Sequence, residues 1–333
     1  MLTKAWFVDK NKKEIIFSCN QIELRGLNDG DVLIKPFFSS INYRDLLAFS
    51  GDVGVAGKWP YVPGVDFVGE VLESSSKEWN CGDRVFAFAL PNNTVWPGVW
   101  SKSFIVKSKC LRKLPENISP IDIATFGTAG LAAAVGINLI KKNLPDKSLP
   151  YKIAITGASG GVGSFSILLA KLFNHKVYAF SQIQSDRKAA YLHSLGADLL
   201  LDSEKLKVSK NPRLLPDRYD AVIDSVGGRL LTELLKQVKN RGIVVAAGMA
   251  GSIQTDNFDL APFLLRGVKL IGTGSDIISE HESNEVFEII FSVLNKIDFK
   301  KIRETFDFDK MEIALDKMKN DKLGRLVIKI NDI

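Results

Sequence analysis

In the first third of the chain, apolar residues come in short β-branched and aromatic blocks. Asp31 to Pro36, Asp66 to Leu72, Arg84 to Ala89 and Ser103 to Val106 are set apart by clusters of Gly, Pro, Asn and Ser. Blocks of this kind predict strands, so residues up to about 120 read as mostly β. From Asp122 the spacing lengthens, and Phe126-Gly127-Thr128-Ala129-Gly130 leads into an apolar helical stretch through Ile140. Strands and helices are then expected to alternate. The pattern predicts strand 153–155, a helix carried by Phe165, Leu168, Leu169 and Leu172, strand 176–180, helix 185–195 and strand 198–201. Strand 221–223, a helix over 230–239 opened by Gly227-Gly228, and strand 243–247 follow. After 263–266 and 269–273 comes a long helix near 280–294. Such alternation implies a parallel sheet with helices on both faces. Residues 324–330 alternate like a strand, and either sheet is open to them.

The segment Ile153 to Ser164 carries the most chemistry. A β-branched run stops at Gly157-Ala158-Ser159-Gly160-Gly161-Val162-Gly163, and a helical pattern starts directly after it. Glycines there let the backbone approach a pyrophosphate, and the free N–H groups at the helix start hold its charge. A glycine cluster alone would be a plain turn; between a strand and a helix it predicts dinucleotide binding.

Composition narrows the class. With 44 basic and 38 acidic residues spread along all 333 positions, the net charge of +6 forms no basic arm. Nucleic acid is therefore not an expected partner. No stretch of about eighteen apolar residues is expected to span a membrane, and no signal-like run opens the chain. The three cysteines and three histidines are scattered without metal-ligand spacing, so no metal site is expected. The simplest expectation is a cytoplasmic enzyme with reduced thiols and a small-molecule substrate.

The residue ending the second strand of such a sheet meets the adenosine ribose, and NAD enzymes usually place an acid there. Here Ser181-Gln182-Ile183-Gln184-Ser185 carries no carboxylate before Asp186. Ser181 can donate to a 2′-phosphate, and Arg187 and Lys188 follow, so NADP(H) is the expected cofactor.

Several motifs along the chain match one family. They are Ser40-Ile41-Asn42-Tyr43-Arg44-Asp45, Pro63 to Gly69, Gly82-Asp83-Arg84-Val85 and Gly127-Thr128-Ala129-Gly130. The glycine loop, Ser194-Leu195-Gly196-Ala197, Asp224-Ser225-Val226-Gly227, Pro262 to Arg266 and Gly324-Arg325 continue the match. On these residues the chain resembles the medium-chain dehydrogenase/reductase superfamily, in its zinc-free quinone-oxidoreductase branch and the acryloyl-CoA reductase group. The resemblance implies an α/β protein with a GroES-like β-rich catalytic domain, residues 1–124 completed by about 300–333, and a Rossmann doubly wound parallel-sheet domain over 125–299. Zinc-dependent relatives carry a cysteine before their T-D and a G-H-E motif, whereas this chain has Asn42 to Asp45 and Gly64-Val65-Asp66. The implied reaction is NADPH-dependent reduction of an activated C=C bond, acryloyl-CoA to propanoyl-CoA. An NADPH:quinone oxidoreductase and a non-catalytic NADPH-binding protein are the alternatives. A short-chain dehydrogenase fits poorly, since the glycine loop lies in mid-chain and no tyrosine has a lysine four residues on.

By the same resemblance, Tyr43 and Thr128 lie near the nicotinamide, Ser159, Gly160, Gly161 and Val162 at the pyrophosphate, and Ser181, Gln182 and Ile183 at the 2′-phosphate. Gln182-Ile183 stand where the family often has Gly-Arg, which makes Arg187 the candidate cation. Met249, Leu264, Ser275 and Asn320 would line the nicotinamide side, and a homodimer is implied. Tyr43 is a candidate proton donor to the α-carbon, in competition with water. Asn42 either bonds the substrate carbonyl or caps the helix starting near Tyr43. Arg44 and Asp45 are a candidate salt bridge, Asp66 reads as structural, and Trp59, Trp96 and Trp100 as packing or cleft-mouth residues.

Overall fold

The computed structural model describes the chain except for residues 12–13, 50–58, 92–93, 145–148, 207–212, 256–257, 275–278 and 321–322. Two compact units divide it, Met1–Thr128 with Arg303–Ile333, and Ala129–Ile302.

The first unit opens with an antiparallel pair, β1 (Leu2–Asn11) and β2 (Glu14–Glu23). Its apolar run is broken by charge, yet Thr3 and Ala5 are buried between exposed Leu2 and Lys4, as strand alternation requires. Next is β3 (Asp31–Ser40), which runs on past Pro36, where the sequence pattern stops it. The ladder tolerates proline there because the register with the next strand is irregular between Pro36 and Phe38. Helix α1 (Tyr43–Phe49) and strands β4 (Phe67–Ser74), β5 (Arg84–Ala87), β6 (Val95–Trp96), β7 (Phe104–Lys107) and β8 (Arg112–Lys113) follow. Phe67 and Phe104 meet edge to face in the core, beside fully buried Trp100. Trp100 is therefore packing, whereas Trp96 is exposed.

Helix α2 (Pro120–Asn143) leaves this unit and enters the second, with a kink at Gly127. Contrary to expectation, it is long and apolar enough to cross a bilayer. It behaves as a core helix, with 89% of its most apolar window buried. A Cβ placed at Gly136 would touch Ile223 and Val245 of the parallel sheet.

The second unit alternates as the sequence predicts: β9 (Lys152–Ile155), α3 (Gly161–Leu172), β10 (Lys176–Ser181), α4 (Asp186–Ser194), β11 (Leu199–Asp202), β12 (Tyr219–Asp224), α5 (Gly228–Leu235), β13 (Val238–Ala246), α6 (Ala261–Arg266), β14 (Lys269–Gly272) and α7 (Glu280–Leu294). The strand order is β11-β10-β9-β12-β13-β14 and every pair is parallel, the doubly wound arrangement. One boundary differs from expectation. Helix α5 stops at Leu235 instead of running to Lys239, because Val238 pairs with Tyr219 and opens β13.

The chain then returns to the first unit through β15 (Arg303–Asp307), α8 (Met311–Asn320) and β16 (Arg325–Lys329). Strand β16 pairs antiparallel with β3, which settles the destination of the C-terminal strand.

Candidate active-site and dinucleotide-binding residues

In the β-rich unit, three distant stretches of sequence converge on one carboxylate. Asp66, fully buried just before β4, accepts hydrogen bonds from the Ser40 N–H (2.8 Å), the Asn42 amide (2.9 Å) and the Thr128 N–H (2.9 Å). The Ser40 hydroxyl lies 2.7 Å from both of its oxygens. Arg325, equally buried at the start of β16, stands 3.8 Å from the carboxylate. Its guanidinium donates to the Ser40 hydroxyl, to Asn42 Oδ1 (3.1 Å) and to the carbonyls of Ile41 (3.3 Å) and Thr125 (3.2 Å). Pairing and saturation with donors make the buried charges tolerable. Gly127 is required here. Its φ is +50°, and a Cβ would come within 2.7 Å of the Ser40 hydroxyl and 2.8 Å of Asp66.

Asn42 is absorbed by this cluster. Its amide donates to the Ser40 carbonyl (3.1 Å) and Asp66 and accepts from Arg325, so its side chain is engaged within the cluster and does not cap α1. The cap comes from Asp45, one turn into the helix, which accepts the Asn42 N–H at 2.7 Å and the Gly64 N–H at 3.0 Å. Burial, with Asp66 nearby, pushes the Asp45 carboxyl up to about 7, against the pull of these two N–H groups. Tyr43, the first residue of α1, is 37% exposed, and its phenol makes no hydrogen bond among the described residues. Thr128 is held at both ends, since its hydroxyl accepts from the Ala89 N–H at 3.0 Å. Asn320 ends α8, exposed, with its amide on Asp316 at 2.8 Å and no bond to the Asp66 cluster.

In the Rossmann unit, the turn after β9 is tied down by a second buried carboxylate. Asp224 accepts from the Thr156 hydroxyl (2.6 Å) and the Gly227 N–H (2.8 Å), while the Ser225 hydroxyl donates to the Thr156 carbonyl (2.9 Å). Burial pushes the Asp224 carboxyl upwards. Gly157 takes φ +55°, and a Cβ on Gly163 would sit 2.3 Å from the Gly157 carbonyl. That contact lets α3 start hard against the strand end. Helices α4 and α7 have serine caps at Ser185 and Ser279; α3 begins at Gly160 with no side-chain cap. The first-turn N–H groups at Gly161 and Val162 thus lack a side-chain acceptor and suit a pyrophosphate.

Ser159 reaches across to the end of β10, its hydroxyl 3.1 Å from that of Ser181. Ser181 is buried, and past it lie exposed Gln182, half-buried Ile183 and Arg187 on the exposed face of α4. A carboxylate unforeseen from the sequence stands beside this turn: Asp202, in register with Ser181 on β11, capping the next turn at the Glu204 N–H. Met249, 38% exposed, follows β13 in a loop that folds back on Ser225 and Val226. Leu264 is 78% exposed on α6 and is not joined to the glycine loop. Ser275 lies outside the described residues.

Residues 28–116 match the family described as alcohol dehydrogenase GroES-like domain, and residues 161–292 the family described as zinc-binding dehydrogenase. The YhdH oxidoreductase of Salmonella enterica, solved in complex with NADP, superposes with a TM-score of 0.88. It is 26% identical, with 98% of this chain and 100% of that one covered. The chain belongs to the medium-chain dehydrogenase/reductase superfamily. Within it, the chain is 29% identical to the acrylyl-CoA reductase AcuI of Ruegeria pomeroyi over 98% of this chain and 99% of that protein. YhfP of Bacillus subtilis, which bears a provisional quinone oxidoreductase name, is 28% identical over 99% of both. A structure of YhfP with NAD bound superposes with a TM-score of 0.85 at 26% identity, covering 99% of each chain.

For a medium-chain reductase the Asp66 cluster is informative. Its carboxylate is saturated by N–H and O–H donors beside a guanidinium, an environment suited to holding backbone in place and poor for a cation. Spacing did not reveal the cluster, because Ser40, Asp66, Gly127 and Arg325 are brought together only by the fold. The faint signal was Gly324-Arg325, a lone arginine opening an apolar strand.

Proposed function

We propose that this protein is an NADPH-dependent reductase acting on an activated C=C bond, with acryloyl-CoA as substrate and propanoyl-CoA as product. The observation that carries the proposal is the end-to-end similarity to AcuI, 29% identical over nearly the whole of both chains. NADPH, when bound, supplies the hydride that adds to the β-carbon. The first-turn N–H groups at Gly161 and Val162 hold its pyrophosphate, with Gly160 letting the backbone approach it, and Ser159 and Ser181 shape the turn towards the 2′-phosphate. Arg187 supplies the cation there. In the β-rich unit, the exposed phenol of Tyr43 bonds the substrate and offers a proton to the α-carbon as the enolate collapses. Asn42, Asp66 and Arg325 keep α1 and Thr128 in place. The donor-saturated Asp66 supports a route in which hydrogen bonds, not a metal ion, stabilise the developing enolate.

The provisional name of YhfP favours a second reading, NADPH:quinone oxidoreductase. Steady-state oxidation of NADPH and of NADH, each with acryloyl-CoA and with a benzoquinone, separates the two. The proposal expects the highest kcat/KM for acryloyl-CoA with NADPH. A background rate with acryloyl-CoA and turnover with the quinone would transfer the assignment to the second reading.

A further inference from the structure

The Rossmann unit holds a cavity of about 390 Å³ at the end of the sheet opposite the glycine loop. Tyr151 and His175, which line it, immediately precede β9 and β10. The glycine turn and Ser181 lie at the other ends of those strands, about 13–20 Å away at 3.3 Å per residue. The dinucleotide therefore has no use for this space.

The walls follow from the topology. Because Lys152 and Lys176 are paired in the parallel ladder, the residues before them are neighbours, joined by the Lys176 N–H to the Tyr151 carbonyl at 2.9 Å. Their rings stack 5.0 Å apart with 14° between planes. The Tyr151 hydroxyl is committed to the Leu144 carbonyl, so the tyrosine offers its ring and not its oxygen. Burial pulls the His175 imidazole below its ordinary range, which leaves it neutral at pH 7, and its Nδ1 has no hydrogen-bond partner among the described residues. Ile137 of α2 and Ile289 of α7 close the apolar sides, with Leu149 at the exposed rim. Among the described residues one formal charge remains on the lining: Lys141, exposed on α2, with no carboxylate partner among them. Its neighbour Lys142 is instead paired with Glu285.

An apolar, aromatic-walled space in the size range of ligand pockets, with one cation on its lining, fits a particular chemistry. We propose that this cavity is a second binding site, for a small monocarboxylate with an aromatic body, whose ring packs against Tyr151 and His175 and whose carboxylate pairs with Lys141.

The test is calorimetric titration of the full chain with 3-phenylpropanoate and with its neutral analogue, 3-phenylpropanamide, with and without saturating NADPH. Saturable binding of the acid is expected, unchanged by NADPH, and about fivefold or more tighter than the amide. Lys141→Gln should bring the acid down to the level of the amide. Ile289→Trp, which fills the cavity from one wall, should abolish both, and Leu149→Trp should do the same from the rim. The thermal midpoint and NADPH affinity of each variant show whether it is folded. The proposal is overturned if the acid does not bind saturably, if the amide binds equally well, or if NADPH displaces the acid. Binding that survives in a folded filling variant would also overturn it.

Discussion

Asp45 shows how much one residue's charge state matters in this fold. Its carboxylate anchors the start of α1 and the backbone at Gly64, yet burial raises its pKa to about 7 from an ordinary 3.8. A carboxyl raised in the folded state stabilises most when protonated. Its contribution is full below about pH 3.8, falls as the pH rises towards 7, and is flat above that. Asp45→Asn removes the titration while keeping the shape. The gap in unfolding free energy between wild type and variant should therefore shift in the variant's favour from pH 5 to pH 8, read from urea midpoints at each pH. A gap that ignores pH would mean that Asp45 is ionised throughout. The sequence did not reveal this role, since Arg44-Asp45 reads as a candidate salt bridge. Only the fold shows both Asp45 oxygens turned to backbone N–H groups.

At the scale of elements, the strand–turn–helix at Ile153 to Ser164 was legible because its constraints are local. Glycine is needed where the chain turns at φ +55° and where α3 meets the strand end, and those glycines are visible in the sequence. Gly163→Ala should be costly: its Cβ would lie 2.3 Å from the Gly157 carbonyl, and backbone must move to admit it. An overpacking cost of about 1–3 kcal/mol at this turn predicts a loss of about 5–150-fold in dinucleotide affinity, measurable by NADPH fluorescence titration. Affinity within twofold of wild type would remove the turn from the binding site. Less legible were boundaries set by pairing partners. Strand β3 crosses Pro36 because a register irregularity receives it, and α5 ends early because Val238 finds Tyr219. Neither partner is near in sequence.

Across the whole molecule, the order of motifs was enough to recognise a GroES-like unit with a Rossmann unit inserted, because each carries local signatures. The convergence of residues 40, 66, 127 and 325 was not, since β16 joins β3 across nearly the entire chain. One edge of the parallel sheet carries a further expectation. Among the described residues strand β14 ends the sheet, and Leu270 on it is 37% exposed, while Leu264 and Leu265 on the preceding helix α6 are 78% and 68% exposed. An apolar edge strand of this kind invites pairing with a second copy. Light scattering should give a dimer mass that Leu270→Lys reduces to a monomer; a wild-type monomer would dissociate this edge from assembly.

The proposed reaction delivers hydride to the β-carbon of an acryloyl thioester. It is tested most directly by turnover of acryloyl-CoA with NADPH deuterated at both C4 positions, followed by mass spectrometry of the product. One deuterium on the β-carbon of propanoyl-CoA, with the α-carbon proton drawn from solvent, is the predicted result. Unchanged acryloyl-CoA, or NADPH consumed without labelled propanoyl-CoA, would contradict it.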